Sequence, residues 1–200
     1  MFKKAIIISV FLFVLVLASP AFAKVTITPS DGQVKVIAAD GIATLDSESP
    51  QATVSDATGG SADVAYDAET GKISAEALSG TPRFGFGIAD IFMDEGETLD
   101  LESDVNYQVM RITNTSVEGS VLITFPDGSK LMVPEGTEIL LTALAGCCYD
   151  LTIVKGTAQY TDPDGNTQTL GPNSAPIKVQ GFCIVPDWRK TDIERSPATP

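Results

Sequence analysis

Carboxylates are the side chains of this sequence with the greatest capacity for chemistry, because its 200 residues include 26 Asp and Glu residues and no His. The absence of His excludes a Ser-His-Asp triad, a Cys-His pair and a His-ligated zinc site. Carboxylate chemistry needs only two acids, about 5–10 Å apart in a cleft. Asp94, Glu95 and Glu97 cluster in the sequence, but acidic residues around a turn are usually solvated. We therefore expect a non-enzymatic protein without catalytic residues. A carboxylate-dependent hydrolase is kept as the third of three possible functions, after the two binding functions described below.

The segment that most resembles a calcium loop is Asp162-Pro-Asp-Gly-Asn166. It lacks the glycine position and the final glutamate of an EF-hand loop, so it fails that pattern. The sequence also contains no glycine-rich phosphate loop and no dinucleotide-binding fingerprint. We expect neither a metal site nor a cofactor.

The first 23 residues have the features of a secretory signal peptide. Lys3 and Lys4 precede an apolar run over residues 5–17, and Ala21 and Ala23 are the small residues that signal peptidase requires. The apolar run is shorter than the about 20 residues of a membrane-spanning helix. Cleavage after Ala23 predicts a periplasmic or secreted protein, with no membrane span in the chain that remains.

The charge balance is strongly acidic, with a formal net charge of −13 at pH 7. Nucleic-acid binding requires clustered Lys and Arg side chains, so we expect no nucleic-acid partner. The acidity is compatible with cation binding, but solubility outside the cytoplasm is the simpler explanation.

Short runs typical of β-strands, separated by turn signals, fill the sequence after residue 23. Asp-Gly pairs, a strong hairpin signal, begin at Asp31, Asp40, Asp127 and Asp164. No apolar pattern of helical period is long enough for a helix. We predict an all-β fold of stacked hairpins, in a sandwich or in a roll or solenoid-like arrangement. The strand-like runs are 24–28, 33–37, 72–75, 121–125, 130–133 and 138–141.

An internal repeat supports the stacking of hairpins. Residues 119–128 (GSVLITFPDG) align without gaps on residues 156–165 (GTAQYTDPDG), with Gly, Thr, Pro, Asp and Gly at the same offsets. Each unit predicts a glycine, then a strand, then a turn that leads into a returning strand. The predicted turn residues are Asp127, Gly128, Asp164 and Gly165.

Composition divides the chain after residue 23 into three parts. Residues 24–86 are rich in Ala, Ser, Thr and Gly and predict either a thin β layer or a loosely ordered arm. Residues 87–185 have the apolar content of a domain core. Residues 186–200 are polar and predict a flexible tail.

The three cysteines are Cys147, Cys148 and Cys183. An oxidising compartment permits a disulfide. Neighbouring residues of a strand point to opposite faces, so at most one of Cys147 and Cys148 faces inward, and that one is a candidate to pair with Cys183. The alternative is that all three are buried as small apolar side chains.

Residues 93–172 contain an ordered set of motifs. Gly96-Glu97 is followed by GSVLITFPDGSKLMVPEGTEILL at 119–141, by LTIVKGTA at 151–158 and by Leu-Gly-Pro at 170–172. This pattern resembles the FecR domain, the periplasmic module of iron-dicitrate signalling, over roughly half of the chain. The residues that match best are Phe125, Asp127, Gly128, Ser129, Pro134 and Thr137.

The resemblance implies an extracytoplasmic β domain over residues 87–185 that binds another protein or a surface polymer. FecR-type sensors have a cytoplasmic segment and a membrane helix before this domain, whereas this sequence has a signal peptide there. The sensor role therefore does not carry over, and the resemblance implies a β scaffold.

We expect a non-enzymatic binding or structural module of the cell envelope, with an envelope protein or a surface polymer as its partner. Exposed strand edges are one means of binding, because they accept a further strand. The alternative is a polysaccharide-binding or cell-surface structural protein, and a groove lined by aromatic side chains would favour it. The candidate ligand contacts are Tyr107, Tyr149, Tyr160 and Trp188.

Overall fold

A computed structural model of the chain describes residues 24–145 and 147–181. They form 17 β-strands and no helix, so the predicted all-β fold is confirmed for this part of the chain. Helices of the length and hydropathy needed to cross a bilayer are accordingly absent from it. The predicted signal peptide, Cys183, Trp188 and the predicted tail lie outside the described residues.

The strands are β1 Val25–Ser30, β2 Gln33–Ala38, β3 Gly41–Leu45, β4 Gln51–Ser55, β5 Ser61–Asp67, β6 Lys72–Ser79, β7 Arg83–Phe86, β8 Ala89–Phe92, β9 Thr98–Ser103, β10 Val109–Asn114, β11 Ser120–Thr124, β12 Lys130–Pro134, β13 Glu138–Leu144, β14 Cys148–Lys155, β15 Ala158–Thr161, β16 Thr167–Leu170 and β17 Ile177–Gln180.

The strands form two sheets. The nine-stranded sheet, sheet A, has the order β16-β15-β12-β11-β8-β7-β1-β2-β3, and the eight-stranded sheet, sheet B, has the order β17-β14-β13-β10-β9-β6-β5-β4. Successive groups of strands alternate between the sheets: β1–β3 in sheet A, β4–β6 in sheet B, then one hairpin at a time. From β7 onward, every hairpin turn lies at one end of the sheets, which we call the open end. Every connection to the other sheet lies at the opposite end, which we call the crossing end.

Alternation along each strand builds one core between the sheets. In β2, Val34, Val36 and Ala38 are buried while the residues between them face outward. The same two-residue period places Leu99 and Leu101 of sheet B in the interior. Since neighbouring side chains on a strand point to opposite faces, this pattern gives each sheet one apolar face, and the two apolar faces pack together.

The strands before residue 87 belong to the same two sheets as the strands after it. β1 pairs in parallel with β7, with Val25 opposite Phe84 and Ile27 opposite Phe86. β6 pairs antiparallel with β9. Buried residues of both parts form a single cluster, so the Ala- and Ser-rich segment extends the core rather than standing beside it.

The crossing end requires glycine where the chain passes from sheet B to sheet A. Gly119 and Gly156 open β11 and β15 with φ values of 105° and 79°, which L-residues with a Cβ rarely adopt. A Cβ on Gly119 would lie 2.6 Å from an oxygen of Glu97, and one on Gly156 would lie 2.5 Å from Oγ1 of Thr137. The two glycines that begin the sequence repeat are therefore fixed by conformation and by space.

Buried polar side chains satisfy the backbone at the crossing end. The amide of Asn114 donates to the carbonyl of Thr137 (3.0 Å), and the amide of Gly136 donates to the carbonyl of Asn114 (2.9 Å). The side chain of Asn114 donates to the carbonyl of Val133 (2.8 Å) and accepts from the amide of Ser116 (3.0 Å). Because unpaired buried polar groups are costly, these bonds allow Asn114 to be buried where the chain changes sheets.

The two repeat units have the same turn geometry. The amide of Phe125 donates to the carbonyl of Ser129, and the amide of Gly128 donates to the carbonyl of Phe125. In the second unit, the amide of Asp162 donates to the carbonyl of Asn166, and the amide of Gly165 donates to the carbonyl of Asp162. The sequence repeat is thus a structural repeat of two hairpins in sheet A.

We predict that Gly156→Ala destabilises the protein more than Gly128→Ala does. Both glycines have positive φ values, 79° and 88°, so both substitutions strain the backbone by roughly 1–2 kcal/mol. Only the Cβ at position 156 also meets neighbouring atoms, since nothing lies within 4 Å of the one at position 128. Overpacking should add about 1–3 kcal/mol at position 156. Urea unfolding of the two variants measures the difference, and equal losses would contradict the packing argument.

Candidate binding pocket

An apolar pocket of about 190 Å³ lies at the open end, beside β1 and β7. Tyr107 and Tyr149 reach it from sheet B, and Ile88 reaches it from the β7–β8 turn in sheet A. Backbone at Gly85 and Gly87 forms another part of its wall. The pocket therefore combines two aromatic rings with an apolar side chain and glycine backbone.

Tyr107 connects the two sheets at this pocket. It belongs to the β9–β10 turn of sheet B, and its hydroxyl donates to the carbonyl of Ile27 in sheet A (3.0 Å). Its ring packs edge-on against Phe86, with the ring centroids 5.7 Å apart and the planes at 82°, a favourable aromatic geometry. These contacts hold the side chain in a single position.

The backbone of Tyr107 is left-handed, with φ at 53°, which costs a non-glycine residue about 1–2 kcal/mol. The turn around it is fixed by Asp104. The carbonyl of Asp104 accepts from the amide of Tyr107 (3.1 Å), and its carboxylate accepts from the amide of Gln108 (2.6 Å). The surrounding contacts therefore offset a conformation that the turn alone would not favour.

Tyr149 forms the opposite wall. It lies on β14 opposite Val179 of β17, and its ring is close to the backbone of Gly181, where a Cβ would lie 3.0 Å from Cε2. Burial raises the pKa of Tyr149 above its ordinary value. Its hydroxyl forms no hydrogen bond with the described residues.

Gly87 makes this packing possible. A Cβ at this position would lie 2.2 Å from the sulfur of Met110 and 3.0 Å from Cδ1 of Tyr107. The φ of Gly87 is 58°, so conformation favours glycine as well. A side chain at position 87 would displace Met110 and press on the ring of Tyr107.

Two cations beside the pocket share one carboxylate. Lys24 extends along the backbone of Gly85, where a Cβ would lie 2.8 Å from Cε of Lys24. Asp90 forms ion pairs with both Lys24 and Arg83. The guanidinium of Arg83 lies 5.2 Å from the centroid of the Phe92 ring, a cation–π distance. Ile27, Ile88 and the two tyrosine rings make the lining largely apolar, so the pocket suits an apolar group.

Asp127 joins the two sheets at a second place in the open end. Its carboxylate accepts from the amide and hydroxyl of Ser129 (2.9 and 2.6 Å) within the β11–β12 turn, and from the amide of Gln180 (2.9 Å) in sheet B. Burial alone raises the pKa of Asp127, but the bonds from Ser129 and Gln180 outweigh it and hold the pKa below its ordinary value. The motif Asp127-Gly128-Ser129, prominent in the FecR resemblance, thus joins the two sheets.

The four aromatic residues predicted to contact a ligand do not lie together in the structure. Tyr107 and Tyr149 meet in the pocket. Tyr160 is buried in the core, because it faces inward on β15 two residues after buried Ala158. Trp188 lies outside the described residues. Sequence reasoning missed Ile88, whereas the Phe-Gly-Phe-Gly alternation at 84–87 is a signal that could have identified the backbone wall.

The acidic candidates have structural roles at turns. Glu97 is buried at the β8–β9 connection, and its carboxylate accepts from the amide of Asp94 (2.7 Å). Asp94 accepts from the hydroxyl of Thr81 (3.2 Å). Asp162 accepts from the amide and side-chain nitrogen of Asn166 (2.8 and 2.9 Å), and these bonds lower its pKa. No set of three or more possible metal ligands converges within the described ranges.

Cys147 forms a disulfide and has a left-handed backbone, with φ at 64°. It lies in the β13–β14 turn at the open end, and its carbonyl accepts from the amide of Gly181 (2.8 Å). Cys183 lies outside the described residues, so the pairing that the sequence predicts for it stays a prediction.

No protein-family model matches this chain, and no curated protein does. Among solved structures, the TCP10c domain of Drosophila melanogaster Sas-4 is 14% identical over 72% of this chain and 95% of that chain, with a TM-score of 0.18. The TCP10 domain of Danio rerio CPAP, in complex with a peptide of Danio rerio STIL, is 14% identical over 78% and 97%, with a TM-score of 0.13. Similarity at such TM-scores carries no argument about the fold or function of this chain.

We predict that Tyr107→Phe lowers the free energy of unfolding by about 1 kcal/mol at neutral pH, because it removes the bond to Ile27 and keeps the ring. Burial raises the pKa of Tyr107 in the folded state, so the neutral form is favoured there. Its contribution is fully present below the unfolded pKa of about 10 and is lost as pH rises through the folded pKa.

Urea unfolding of the wild type and of Tyr107→Phe at about pH 7 and about pH 10.5 measures this contribution. The difference between the two proteins should shrink at the higher pH. A difference that stays the same at both pH values would show that the hydroxyl of Tyr107 is not buried as the structure has it.

Proposed function

We propose that this protein is an exported, non-enzymatic, FecR-like β module of the cell envelope that binds a protein partner at its open end. The observation that carries the proposal is the convergence of Tyr107 and Tyr149 of sheet B with Ile88 of sheet A on one apolar pocket. The signal-peptide pattern before Lys24 supports export to the periplasm or beyond.

The pocket has the properties of an anchor site for one large apolar side chain. Its volume is about 190 Å³, and protein interfaces concentrate binding energy where an aromatic or aliphatic anchor fills such a pocket. Tyr107 is already fixed by its bond to Ile27 and by the ring of Phe86. A preformed wall lowers the entropic cost of binding, and the Tyr149 hydroxyl supplies a polar contact that orients the partner.

Among the described residues, a strand edge of sheet B adjoins this end of the protein. β17 is an edge strand of sheet B, and its neighbour β14 carries Tyr149. An extended segment of a partner that pairs with β17 would run one strand away from that ring. Strand addition supplies backbone hydrogen bonds, while a nearby pocket supplies side-chain specificity.

The other two functions receive less support from the geometry. A polysaccharide-binding protein would present several aromatic rings along a groove, but Tyr160 is in the core. A carboxylate-dependent hydrolase would present two acids across a cleft, but the carboxylate of Glu97 accepts the amide of Asp94 in a turn. A protein partner at the pocket therefore remains the function that the arrangement favours.

A site-specific photo-crosslinking experiment tests the proposal. A photoreactive residue replaces Val105, which is exposed in the same turn as Tyr107, and irradiation follows incubation with the envelope fraction. The matched position is Thr58, which is exposed in the β4–β5 turn at the crossing end. We predict that one envelope protein is crosslinked from position 105 and not from position 58.

A second pair of variants identifies the pocket as the cause. Thr26 lines the pocket, whereas Thr44 is exposed on β3 of the same sheet, away from it. Thr26→Phe should fill the pocket and abolish the crosslink, and Thr44→Phe should retain it. Equal crosslinking in both variants, or retention of the protein by polysaccharide alone, would contradict the proposal.

A further inference from the structure

The outward faces of the two sheets differ in charge. Among the described strands, those of sheet A contain the basic residues Lys35, Arg83 and Lys130 and a single acidic residue, Asp90. The strands of sheet B are acidic overall. Their acidic residues are Asp63, Asp67, Glu76, Asp100, Glu102, Glu138 and Asp150, and their basic residues are Lys72, Arg111, Lys155 and Lys178.

Positive charge on sheet A is not compensated within the described residues. Asp90 is already shared between Arg83 and Lys24, the residue before β1. Lys35 and Lys130 form no ion pair or hydrogen bond with any described side chain. The outward face of sheet A is therefore positively charged, although the chain as a whole has a net charge of −13.

Sheet B has the opposite imbalance. Arg111 lies between Glu138 and Glu102, at 3.8 Å from the latter, and Lys72 pairs with Asp100 at 2.8 Å. Asp63 and Glu76 lie directly opposite each other in the β5–β6 pairing. Neither forms an ion pair within the described residues. Like charges in this position repel unless a cation covers them.

Each outward face also has an apolar centre. On sheet A, Leu122 is paired in register with both Phe92 and Met132, so these three side chains stand side by side on adjacent strands. On sheet B the apolar side chains are more spread out: Val109 and Val154 are exposed on the strands either side of half-buried Leu140, which is in register with Arg111 and Thr152. Both faces thus combine an apolar centre with charges, and the charges have opposite sign.

We propose that copies of this chain associate with the outward face of sheet A of one copy against the outward face of sheet B of the next. Nine strands about 4.8 Å apart and about five residues long give a face of roughly 650 Å². This is close to the about 800 Å² per partner of a stable interface. Because the two surfaces differ, the contact does not close on itself and extends into a linear assembly. The proposal does not depend on the pocket at the open end.

Two charge-reversal variants distinguish association through these two faces from a general effect of net charge. Lys130→Glu on sheet A and Lys155→Glu on sheet B change the net charge of the chain equally. Sedimentation of the purified chain at rising concentration and low salt measures association. Lys130→Glu should weaken it roughly fivefold, whereas Lys155→Glu, which makes sheet B more negative, should leave it unchanged or tighten it. Equal weakening by both variants would overturn the proposal.

A mixing experiment tests the pairing of unlike faces. Met132→Glu places a charge in the apolar centre of sheet A, and Val109→Lys does so in that of sheet B. Each variant alone should be monomeric, with thermal unfolding as the check that it is folded. An equimolar mixture should form dimers and nothing larger, because each copy keeps one working face.

Two results would overturn the proposal. One is a wild-type chain that remains monomeric up to its limit of solubility. The other is a Val109→Lys variant that associates as the wild type does while Met132→Glu does not, because this would mean that two copies of sheet A face each other.

Discussion

The backbone of this protein must be hydrogen-bonded where it passes from one sheet to the other, and the rest of the structure depends on that constraint. Most residues of the crossings are exposed, but Glu97, Asn114, Ser116 and Thr137 are buried beneath them, where polar groups must be paired within the protein. Asn114 and Thr137 supply the partners at the centre of the crossing end. Gly119 and Gly156 supply the left-handed turns that lead into sheet A. With these bonds in place, successive hairpins alternate between the sheets and bury their apolar faces on each other.

The open end, where we propose that a partner binds, is held together differently. Hairpin turns there are tied across the sheets by side chains rather than by the chain itself: Tyr107 bonds to Ile27, and Asp127 bonds to Gln180. Binding residues are often found on loops that a rigid scaffold holds in position, and these two bonds hold such turns in place. The pocket between Tyr107 and Tyr149 lies among these turns, while the hydrogen bonds of the crossing end hold the connections between the sheets.

Much of the fold follows from the sequence, because strands and tight turns are encoded locally. The Asp-Gly turn at Asp127 and the repeat that begins at Gly119 both correspond to structure. The inward position of Tyr160 could not be predicted, since alternation along β15 fixes which residues share a face but not which face is inward. The parallel pairing of β1 with β7 brings together residues almost 60 positions apart, such as Val25 and Phe84. No local pattern records such a pairing, so the pocket that it helps to form could not be predicted.

Native-state hydrogen exchange tests most directly whether the crossing end holds the fold while the open end is free to respond to a partner. The amides of Asn114 and Gly136, both bonded at the crossing end, should exchange only through global unfolding. The amides of Val105 and Asn106, in the turn of Tyr107, should exchange through local opening at far lower free energy. Exchange of Asn114 and Gly136 through local opening as readily as Val105 and Asn106 would contradict the account.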